Sequence, residues 1–329
     1  MENRILNTTY SRINIPEVDI SADGPFCMSF CFDLEKLKGS ISKYGILNPP
    51  YIVKNSDGCF FAVAGYRRLL AAKELGWESA ECRILPDGFP AFDALILNLD
   101  DNLLHRELNI IEKAMVIERL IPFLNKEKII KYYMPLLEIP AYYQNLKIYL
   151  KLSELDYQIK VSIAEGKLSL RVAELMESME KDDCLSVNDV FTSLKFSFNQ
   201  QLQLIQYLTE ISCREGCSIK KIIDGSEIRE ILTEKRVNAP QKANAVALAL
   251  KRRRFPTLSD AERIFNKGIS HLSLPPGVSI SPPAFFEGVN YRLEIVFSKG
   301  KDLKKKLTLL NKLSGLFDVT EFWKGRGDN

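Results

Sequence analysis

The first stretch that could do chemistry is a single glycine between an apolar strand pattern and a helix pattern that opens with two arginines. It runs from Phe61 to Ala72, with the glycine at Gly65 and the cations at Arg67 and Arg68. A helix N-terminus favours phosphate, and a glycine there lets the phosphate approach the backbone closely. Each arginine adds a planar fork that can hold two phosphate oxygens. On spacing alone, an ordinary strand-to-helix turn with two solvated arginines is the commoner meaning of such a stretch.

A second polar group lies near the end of the next long helix pattern. Asp100, Asp101 and Asn102 are followed one helical turn later by His105 and Arg106, which places the two sets on neighbouring faces. Carboxylate and amide oxygens suit Mg²⁺, which proteins often hold through one or two oxygens together with nucleotide phosphates. Taken by itself, the group is more simply explained as an acidic, solvated turn.

A third group follows on two consecutive helix patterns, residues 126–137 and 139–152, whose arrangement is typical of a helix-turn-helix unit. Glutamine and asparagine can pair with adenine, and lysine can reach guanine or phosphate. A helical bundle without DNA contact is the alternative, because Pro135 and Pro140 shape the turn unusually and a tyrosine pair more often packs than reads bases. The DNA contacts predicted here are Lys126, Lys128, Tyr142, Tyr143, Gln144, Asn145, Lys147, Lys151, Lys167 and Arg171.

The cysteines and histidines exclude two common kinds of site. The chain has seven cysteines and two histidines, without a CxxC pair and with both histidines far from any cysteine pair. A structural zinc site is therefore not expected. The sequence also lacks the G-x-S-x-G elbow of many hydrolases, and neither histidine has an evident nucleophile.

Composition places the chain among ordinary globular proteins. It has 329 residues, of which 46% are hydrophobic and 26% charged, with a formal net charge of +3. This charge is too small to indicate a polyanionic partner by itself. No apolar run approaches the ~20 residues that a membrane span needs, and the N-terminus lacks a secretion signal. We therefore expect a cytoplasmic protein with reduced thiols and no membrane partner.

The periodicity of apolar residues predicts an α+β fold that is mostly helical. Strands and helices alternate at first, and from Asn109 onward the pattern is helical, beginning with a capping box formed with Glu112. Residues 237–245 are polar with little to bury and are predicted as a linker, and the basic run Lys251–Arg254 indicates a phosphate contact or a solvated helix end. The predicted domains are an α/β domain (1–108), a DNA-binding domain (109–180), a helical extension (181–236), a linker with the basic run (237–257) and a small α/β domain (258–329).

Four short boxes in the same order make the chain resemble the ParB partition-protein family. That family carries G-I/L-x-Q-P-x-x-V, then G-E-R-R-x-R-A-A, then E-N-x-Q-R leading into L-N-P-x-E-x-A, and further along E-G-K-L-S-x-x-H-A. The resemblance covers about residues 10–180 and leaves the C-terminal part of the chain without a match. The segments that carry it are residues 45–53, 64–72, 101–105, 108–114 and 159–173.

The resemblance implies a ParB-like N-terminal domain followed by a helix-turn-helix domain, and a nucleotide site. In the ParB family, the second box cradles the triphosphate of CTP and the third holds Mg²⁺, so Asp101 and Asn102 are the expected metal ligands. The family also implies a homodimeric clamp on double-stranded DNA, a ParA-type ATPase partner and a nucleoid-associated location. The nucleotide contacts implied by position are Asn48, Pro49, Gly65, Tyr66, Arg67, Arg68, His105 and Arg106.

Several positions depart from the family boxes. Tyr66 stands where the family has glutamate, Asp101 where it has a longer carboxylate, and His105 where it has arginine. The segment 25–30, which corresponds to an arginine-bearing stretch in the family, has no cation. These changes weaken triphosphate binding and speak against hydrolysis, so weak CTPase activity is the most that the resemblance implies. No catalytic residue is assigned.

These observations favour a dimeric, nucleotide-responsive DNA-binding protein that acts in chromosome or plasmid partition. Two alternatives stay open. Relatives on the same N-terminal scaffold phosphorylate small molecules such as free serine, which makes a serine-type kinase the alternative of a different class. A diverged transcriptional regulator without nucleotide control is the other.

Overall fold

Most of the described residues are helical, and strands occur near both ends of the chain. The computed structural model describes residues 7–54, 58–176, 178–313, 315–316 and 319. The chain divides into two compact units, residues 1–202 and 203–329, which are described separately below. The α+β, mostly helical fold predicted from periodicity is confirmed.

Strands and helices alternate in the first part of unit one. The strands are β1 (Thr9–Asn14), β2 (Val18–Asp19), β3 (Tyr51–Lys54), β4 (Phe60–Ala64) and β5 (Ser79–Ile84). The helices are α1 (Glu35–Tyr44), α2 (Tyr66–Glu74) and α3 (Ala91–His105).

Helices make up the remainder of both units until a short hairpin near the C-terminus. They are α4 (Ile110–Leu120), α5 (Lys126–Lys128), α6 (Met134–Leu136), α7 (Tyr143–Glu154), α8 (Tyr157–Ala164), α9 (Leu170–Met176), α10 (Lys181–Leu194), α11 (Phe198–Glu215), α12 (Ile219–Ile223), α13 (Ser226–Thr233), α14 (Ala239–Arg254), α15 (Pro256–His271) and α16 (Gly300–Leu310). The hairpin strands are β6 (Val278–Ser281) and β7 (Arg292–Ile295).

The N-terminal strands form a mixed sheet that positions the start of α2. Within the described residues its order is β1-β5-β3-β4-β2, with antiparallel pairs β1/β5 and β3/β4 and parallel pairs β3/β5 and β2/β4. Ile52 and Ala62 on the sheet and Leu69 on α2 belong to one buried cluster, so burial of this apolar surface holds α2 against the sheet. The turn after β4 therefore places the N-terminus of α2 at the sheet's end.

The helical part of unit one begins with the capping box that the sequence predicts. The Asn109 side chain accepts a hydrogen bond from the Glu112 backbone N–H, and Glu112 in return accepts from the backbone N–H of Asn109. Buried apolar residues on α4 and α7, among them Leu120 and Leu146, belong to the core of this region. These helices form the scaffold on which the lysines and tyrosines of residues 126–147 are displayed.

The helix expected over residues 126–137 is present, but it is irregular inside. Between α5 and α6, residues 129–133 form a π-helical turn, in which the Met134 N–H bonds to the Ile129 carbonyl. Pro135 follows at once, and a proline cannot donate the backbone hydrogen bond of a regular helix. The chain then turns and begins α7 at Tyr143, four residues later than the sequence pattern indicates.

In unit two, the linker predicted for residues 237–245 is wrong, because the chain is helical from Ala239. Asn238 and Gln241 form a capping box, and Pro240 lies in the first turn, where a missing N–H costs nothing. The alanines that look like linker composition are strong helix formers. Residues 239–254 therefore form one helix, α14.

The basic run at the end of α14 is neither a free phosphate contact nor a simple solvated end. Each of its cations pairs with a carboxylate from α11, α13 or α15, so the run joins α14 to the helices around it. The pairs are Lys251 with Glu262 at 2.8 Å, Arg252 with Glu227 at 2.8 Å, Arg253 with Glu215 at 2.5 Å, and Arg254 with Glu210.

The C-terminal part of unit two matches its prediction in outline. Strands expected at 278–281 and 291–297 appear as the antiparallel pair β6 and β7. The helix expected at 258–266 extends to His271 as α15. None of the helices in the described part of the chain has the length and apolar content needed to cross a bilayer.

The ion pair between Arg253 and Glu215 makes the stability of unit two depend on pH. The hydrogen-bonded Arg253 guanidinium lowers the pKa of Glu215 to about 2. A carboxylate with a depressed pKa stabilises the fold above its unfolded value of 4.5, and this contribution is lost as the pH falls toward 2. We expect Glu215→Gln to lower the free energy of unfolding at pH 7 by about 0.5–1 kcal/mol, the range of exposed ion pairs.

Urea unfolding of both proteins at pH 7, 5 and 3.5 measures this effect. The deficit of the variant should be largest at pH 7 and should shrink below pH 4.5. Glu230→Gln makes the same charge change on an exposed position of α13 and should have little effect. A deficit that stays constant with pH would show that Glu215 acts through packing rather than charge.

Candidate functional site

The N-terminus of α2 opens into a cavity of about 310 Å³. The end of α3, the loop at Met28 and Ser29, and Asn48 before β3 complete its walls. The lining contains the nucleotide and metal residues expected from the sequence with the exception of Pro49. Those brought together are Asn48, Gly65, Tyr66, Arg67, Arg68, Asp101, Asn102, His105 and Arg106.

Gly65 is the residue at which a side chain would not fit. Its φ of +91° is a left-handed conformation that non-glycine residues rarely adopt. A Cβ built there would lie 2.9 Å from the Cβ of Pro50 and 3.0 Å from the guanidinium of Arg68. The glycine therefore allows strand β4 to turn into α2 with Arg68 folded back across the turn.

Arg68 crosses the cavity and is held at both ends of its guanidinium. It donates to the Asn48 carbonyl at 2.5 Å and to the Asp101 carboxylate at 3.0 Å. Burial lowers the pKa of Arg68 from its usual range, and the neighbouring carboxylate of Asp101 opposes this shift. The residue stays charged, because the usual arginine pKa is far above neutral pH. A phosphate group bound by both nitrogens of this guanidinium would therefore compete with the Asn48 carbonyl and the Asp101 carboxylate.

Arg67 and Arg106 share one buried carboxylate, that of Glu112 on α4. Arg67 donates to Oε1 at 2.6 Å and Arg106 donates to Oε2 at 2.5 Å. The Glu112 side chain is only 2% exposed, and it also accepts the backbone N–H of Phe30 and that of Asn109. A buried carboxylate is stable only when it is paired and hydrogen-bonded, and this one is bound from four directions.

Tyr66, at the departure from the family's glutamate, is part of an aromatic wall. Its ring packs edge-on against Phe32 at 6.0 Å, and the guanidinium of Arg67 lies 4.4 Å from the Phe32 ring centroid. Burial raises the pKa of the Tyr66 hydroxyl above its usual value. The first residue of α2 is therefore held by aromatic packing.

The two expected Mg²⁺ ligands have suitable oxygen donors, but both are engaged. Asp101 pairs with Arg68, and the amide oxygen of Asn102 accepts a hydrogen bond from Arg106 at 2.8 Å. Asn102 is further fixed by its bonds to Asn98. Among the described residues, no cluster of three or more His, Cys, Asp or Glu side chains forms a ready metal site. A cation at Asp101 would have to displace Arg68 or share the carboxylate with it.

Sequence reasoning missed some of the residues that organise this cavity. Glu112 was expected only as a helix cap, and Ser29 and Asn98 were not expected at all. Ser29 accepts from Arg67 at 3.1 Å, and the buried Asn98 donates to a loop carbonyl. The sequence indicates the capping role of Glu112, because this residue lies three positions after Asn109 at the start of α4. Its pairing with Arg67 could not be predicted in the same way, because Arg67 is distant in sequence.

The lysine and tyrosine side chains of the predicted DNA-binding segment form an exposed surface on α5 and α7. Tyr142 is 70% exposed and Tyr143 is 50% exposed, so this pair is not core packing. The ammonium groups of Lys126 and Lys147 lie 5.8 Å and 5.2 Å from the Tyr143 ring centroid. Gln144 and Lys128 are also exposed. We call Lys126, Lys128, Tyr142, Tyr143, Gln144 and Lys147 the α5–α7 surface.

Other predicted DNA contacts are engaged within the protein. The Asn145 amide donates to the Pro140 carbonyl at 2.9 Å and so stabilises the turn before α7. Lys167 pairs with Glu165 and Arg171 with Glu174 at 2.6 Å and 2.5 Å. Lys151 is exposed on the last turn of α7 and is not free of internal interactions. By contrast, Lys126, Lys128 and Lys147 on the α5–α7 surface have no ion pair within the described residues.

Comparison with known proteins agrees with the first domain of this fold. Residues 7–99 match the sequence profile of the ParB N-terminal domain, and these residues contain the whole sheet and most of the cavity. The match places the similarity to ParB in this N-terminal segment of the chain. The resemblance to the ParB family that the sequence boxes indicate is confirmed.

Curated relatives of the chain include a chromosome-partitioning protein and a nucleoid occlusion protein. The chain is 27% identical over 183 residues to the "Probable chromosome-partitioning protein ParB" of Chlamydia muridarum, covering 53% of this chain and 62% of the relative. It is 34% identical over 94 residues to the nucleoid occlusion protein of Bacillus cytotoxicus, covering 28% of this chain and 31% of the relative. The chain thus aligns with less than two thirds of the length of these relatives.

Among solved structures, the chain is similar to C-terminally truncated chromosome-partitioning protein ParB from Caulobacter crescentus, crystallised with the centromeric parS site. The identity is 18% and the TM-score is 0.33, and the match covers 60% of this chain and 98% of that chain.

The shared carboxylate of Glu112 leads to a stability prediction. Glu112→Ala leaves Arg67 and Arg106 without their anionic partner and two backbone N–H groups without an acceptor, and breaking a buried pair typically costs about 3–5 kcal/mol. We expect a loss in this range in the free energy of unfolding, measured by urea denaturation. Glu118→Ala removes an exposed carboxylate from the same helix and should cost far less. Equal losses in the two variants would contradict the central role of Glu112.

Proposed function

We propose that this protein is a DNA-binding partition protein of the ParB type. In this proposal the cavity of the N-terminal domain binds CTP with Mg²⁺, and residues 109–180 bind double-stranded DNA through the α5–α7 surface. The observation that carries the proposal is the convergence of Arg67, Arg68 and Arg106 on one cavity at a helix N-terminus, inside a ParB N-terminal domain. The names of the curated relatives, chromosome partition and nucleoid occlusion, support the same role.

The phosphate groups of the nucleotide would be held by the backbone at Gly65 and by the arginines. The positive end of α2 and the close backbone approach at Gly65 favour an anion there. Arg68 is the most direct phosphate ligand, because its guanidinium already spans the cavity between two oxygen acceptors. Asp101 and Asn102 would hold Mg²⁺ once the nucleotide phosphates draw the arginines away from them.

The DNA half of the proposal rests on shape and charge. A helical segment, a turn and α7 present the N-terminal residues of α7 outward, which is the part of a recognition helix that enters the major groove. In the described part of the chain, no carboxylate forms an ion pair with Lys126, Lys128 or Lys147, so their charges are available to phosphates. We assign phosphate contacts to these lysines.

The assembly is carried over from the ParB resemblance as part of the proposal. A homodimer that closes on DNA when nucleotide binds would be a shift between two states, driven by a difference in nucleotide affinity. A ParA-type ATPase would be its partner at the nucleoid. Hydrolysis is not part of the proposal, because Tyr66 and His105 stand where the family has glutamate and arginine.

A second candidate is a DNA-binding regulator of the same fold without nucleotide control. The observation that favours it is the internal pairing of the cavity, in which each arginine already has a protein oxygen as its partner. A nucleotide would have to replace these contacts with better ones. Direct binding measurements separate the two candidates.

Nucleotide binding is tested by titrating the full chain with CTP, ATP and ADP, each with and without Mg²⁺, by calorimetry. We expect CTP with Mg²⁺ to bind and Arg68→Ala to weaken it by about tenfold to a hundredfold, the worth of a charge-assisted hydrogen bond. Arg12→Ala removes an exposed arginine from β1 and should leave the affinity unchanged.

Other outcomes are equally decisive. An unchanged affinity in Arg68→Ala would reject this cavity as the nucleotide site. Absence of binding to all three nucleotides supports the regulator. The same titrations can be repeated with free serine present. Consumption of ATP or ADP under that condition would support the serine-type kinase.

DNA binding is tested by fluorescence anisotropy with a labelled 30-base-pair duplex over a range of salt concentrations. Lys147→Gln should weaken binding and reduce the slope of log K against log salt by about 1, because one phosphate contact is lost. Lys36→Gln makes the same charge change at an exposed position of α1 and serves as the matched control. A slope unchanged by Lys147→Gln would remove this residue from the DNA interface.

A further inference from the structure

The outward face of α7 carries two kinds of side chain that can read bases. Tyr142 and Tyr143 expose aromatic rings at the start of the helix, and Gln144 exposes a primary amide beside them. Because these rings are not packed in the core, their apolar surface is available to another molecule. Tyr142 is the N-cap of α7, and Tyr143 and Gln144 are its first two residues, so all three lie at the end that a recognition helix inserts into the groove.

Only one of the two amides at this end is available to DNA. The Asn145 side chain is committed to the Pro140 carbonyl, whereas Gln144 points into solvent and forms no hydrogen bond within the described residues. A glutamine amide donates and accepts in the pattern that the N7 and N6 atoms of adenine require. The structure thus leaves Gln144 as the amide that can identify adenine.

Lysines pair with the tyrosines and complete a cationic aromatic patch. Lys126 and Lys147 approach the Tyr143 ring, and Lys131 lies 5.2 Å from the ring centroid of Tyr132. The ammonium groups can contact a phosphate backbone, and the exposed rings offer apolar surface beside them. The apolar group that the major groove displays is the C5-methyl of thymine. From Tyr143 to Glu154, α7 contains no arginine, and the ammonium of Lys147, the lysine nearest its N-terminus, lies against the Tyr143 ring. Lysine can also reach guanine, so the G·C-rich duplex in the test below is the direct check on this alternative.

We propose that α7 selects A·T base pairs, with Gln144 pairing to adenine and the rings of Tyr142 and Tyr143 contacting the methyl groups of neighbouring thymines. The proposal rests on the proposed DNA-binding function and adds the base preference and the residues that determine it. The proposal predicts that the protein distinguishes thymine from uracil. Phosphate contacts cannot make this distinction, because the two bases differ only in the methyl group.

The experiment compares three 30-base-pair DNA duplexes of equal length and charge by anisotropy with the full chain. One is A·T-rich, one is the same sequence with deoxyuridine in place of thymidine, and one is G·C-rich. We expect the A·T duplex to bind most tightly. Removal of the methyl groups should weaken binding about fourfold for each methyl in contact, the worth of one buried methyl group. The G·C duplex should bind through phosphate contacts alone.

Variants assign the preference to its residues. Gln144→Ala should reduce the preference for A·T over G·C, and Tyr143→Ala should reduce the difference between thymine and uracil. Tyr143→Phe retains the ring and should keep that difference. The matched control is Tyr44→Ala, because Tyr44 is also an exposed tyrosine with a lysine ammonium, that of Lys43, 4.7 Å from its ring centroid. It should change nothing.

The outcomes separate the two proposals. Salt-dependent binding of equal strength to all three duplexes would overturn the base preference while leaving DNA binding intact. Failure to bind any duplex at low salt would overturn DNA binding and the preference together. A preference that persists in both Gln144→Ala and Tyr143→Ala would overturn the assignment to α7.

Discussion

The buried carboxylate of Glu112 is the interaction on which the N-terminal cavity depends. It pairs with Arg67 from α2 and Arg106 from the end of α3, and it accepts hydrogen bonds from two backbone N–H groups. A carboxylate removed from water needs such compensation, and the compensation comes here from separate segments of the chain. The cap of α4 therefore also fixes the geometry of the arginines that face the cavity.

The pairing with Glu112 explains how several arginines can lie in one cavity without destabilising the fold. Arginines gathered in one cavity repel each other and lose hydration, and Arg67 shows this in a pKa lowered by burial and then by neighbouring Arg106. Glu112 and Asp101 offset that cost in the absence of ligand. A phosphate ligand would take the place of anions that the protein itself supplies, so its affinity depends on a difference between two sets of charge-assisted hydrogen bonds.

The cations of the two units differ in whether carboxylates pair with them. The lysines at 126, 128 and 147 stay free of carboxylates in the described structure, whereas the run Lys251–Arg254 is fully paired with surrounding helices. Both sets look alike as sequence, because a cation alone does not show whether a carboxylate will lie within 4 Å. Helix packing brings Glu210, Glu215, Glu227 and Glu262 to the second set and leaves the first for other partners.

Local pattern in the sequence was enough to predict the strand before Gly65, the long helix α3 and the capping box of Asn109, because these depend on periodicity and helix-end chemistry. The family resemblance named nine of the residues that line the cavity, but not Met28, Ser29, Leu37 or Asn98. It misjudged residues 237–245, where helix caps and alanine outweighed a linker-like composition. Only the tertiary structure decided that Glu112 binds two arginines, that Asn145 serves the turn and that Tyr142 and Tyr143 face solvent. The physical reason is that pairing and burial are set by residues far apart in the chain, and a single sequence without its fold does not contain those distances.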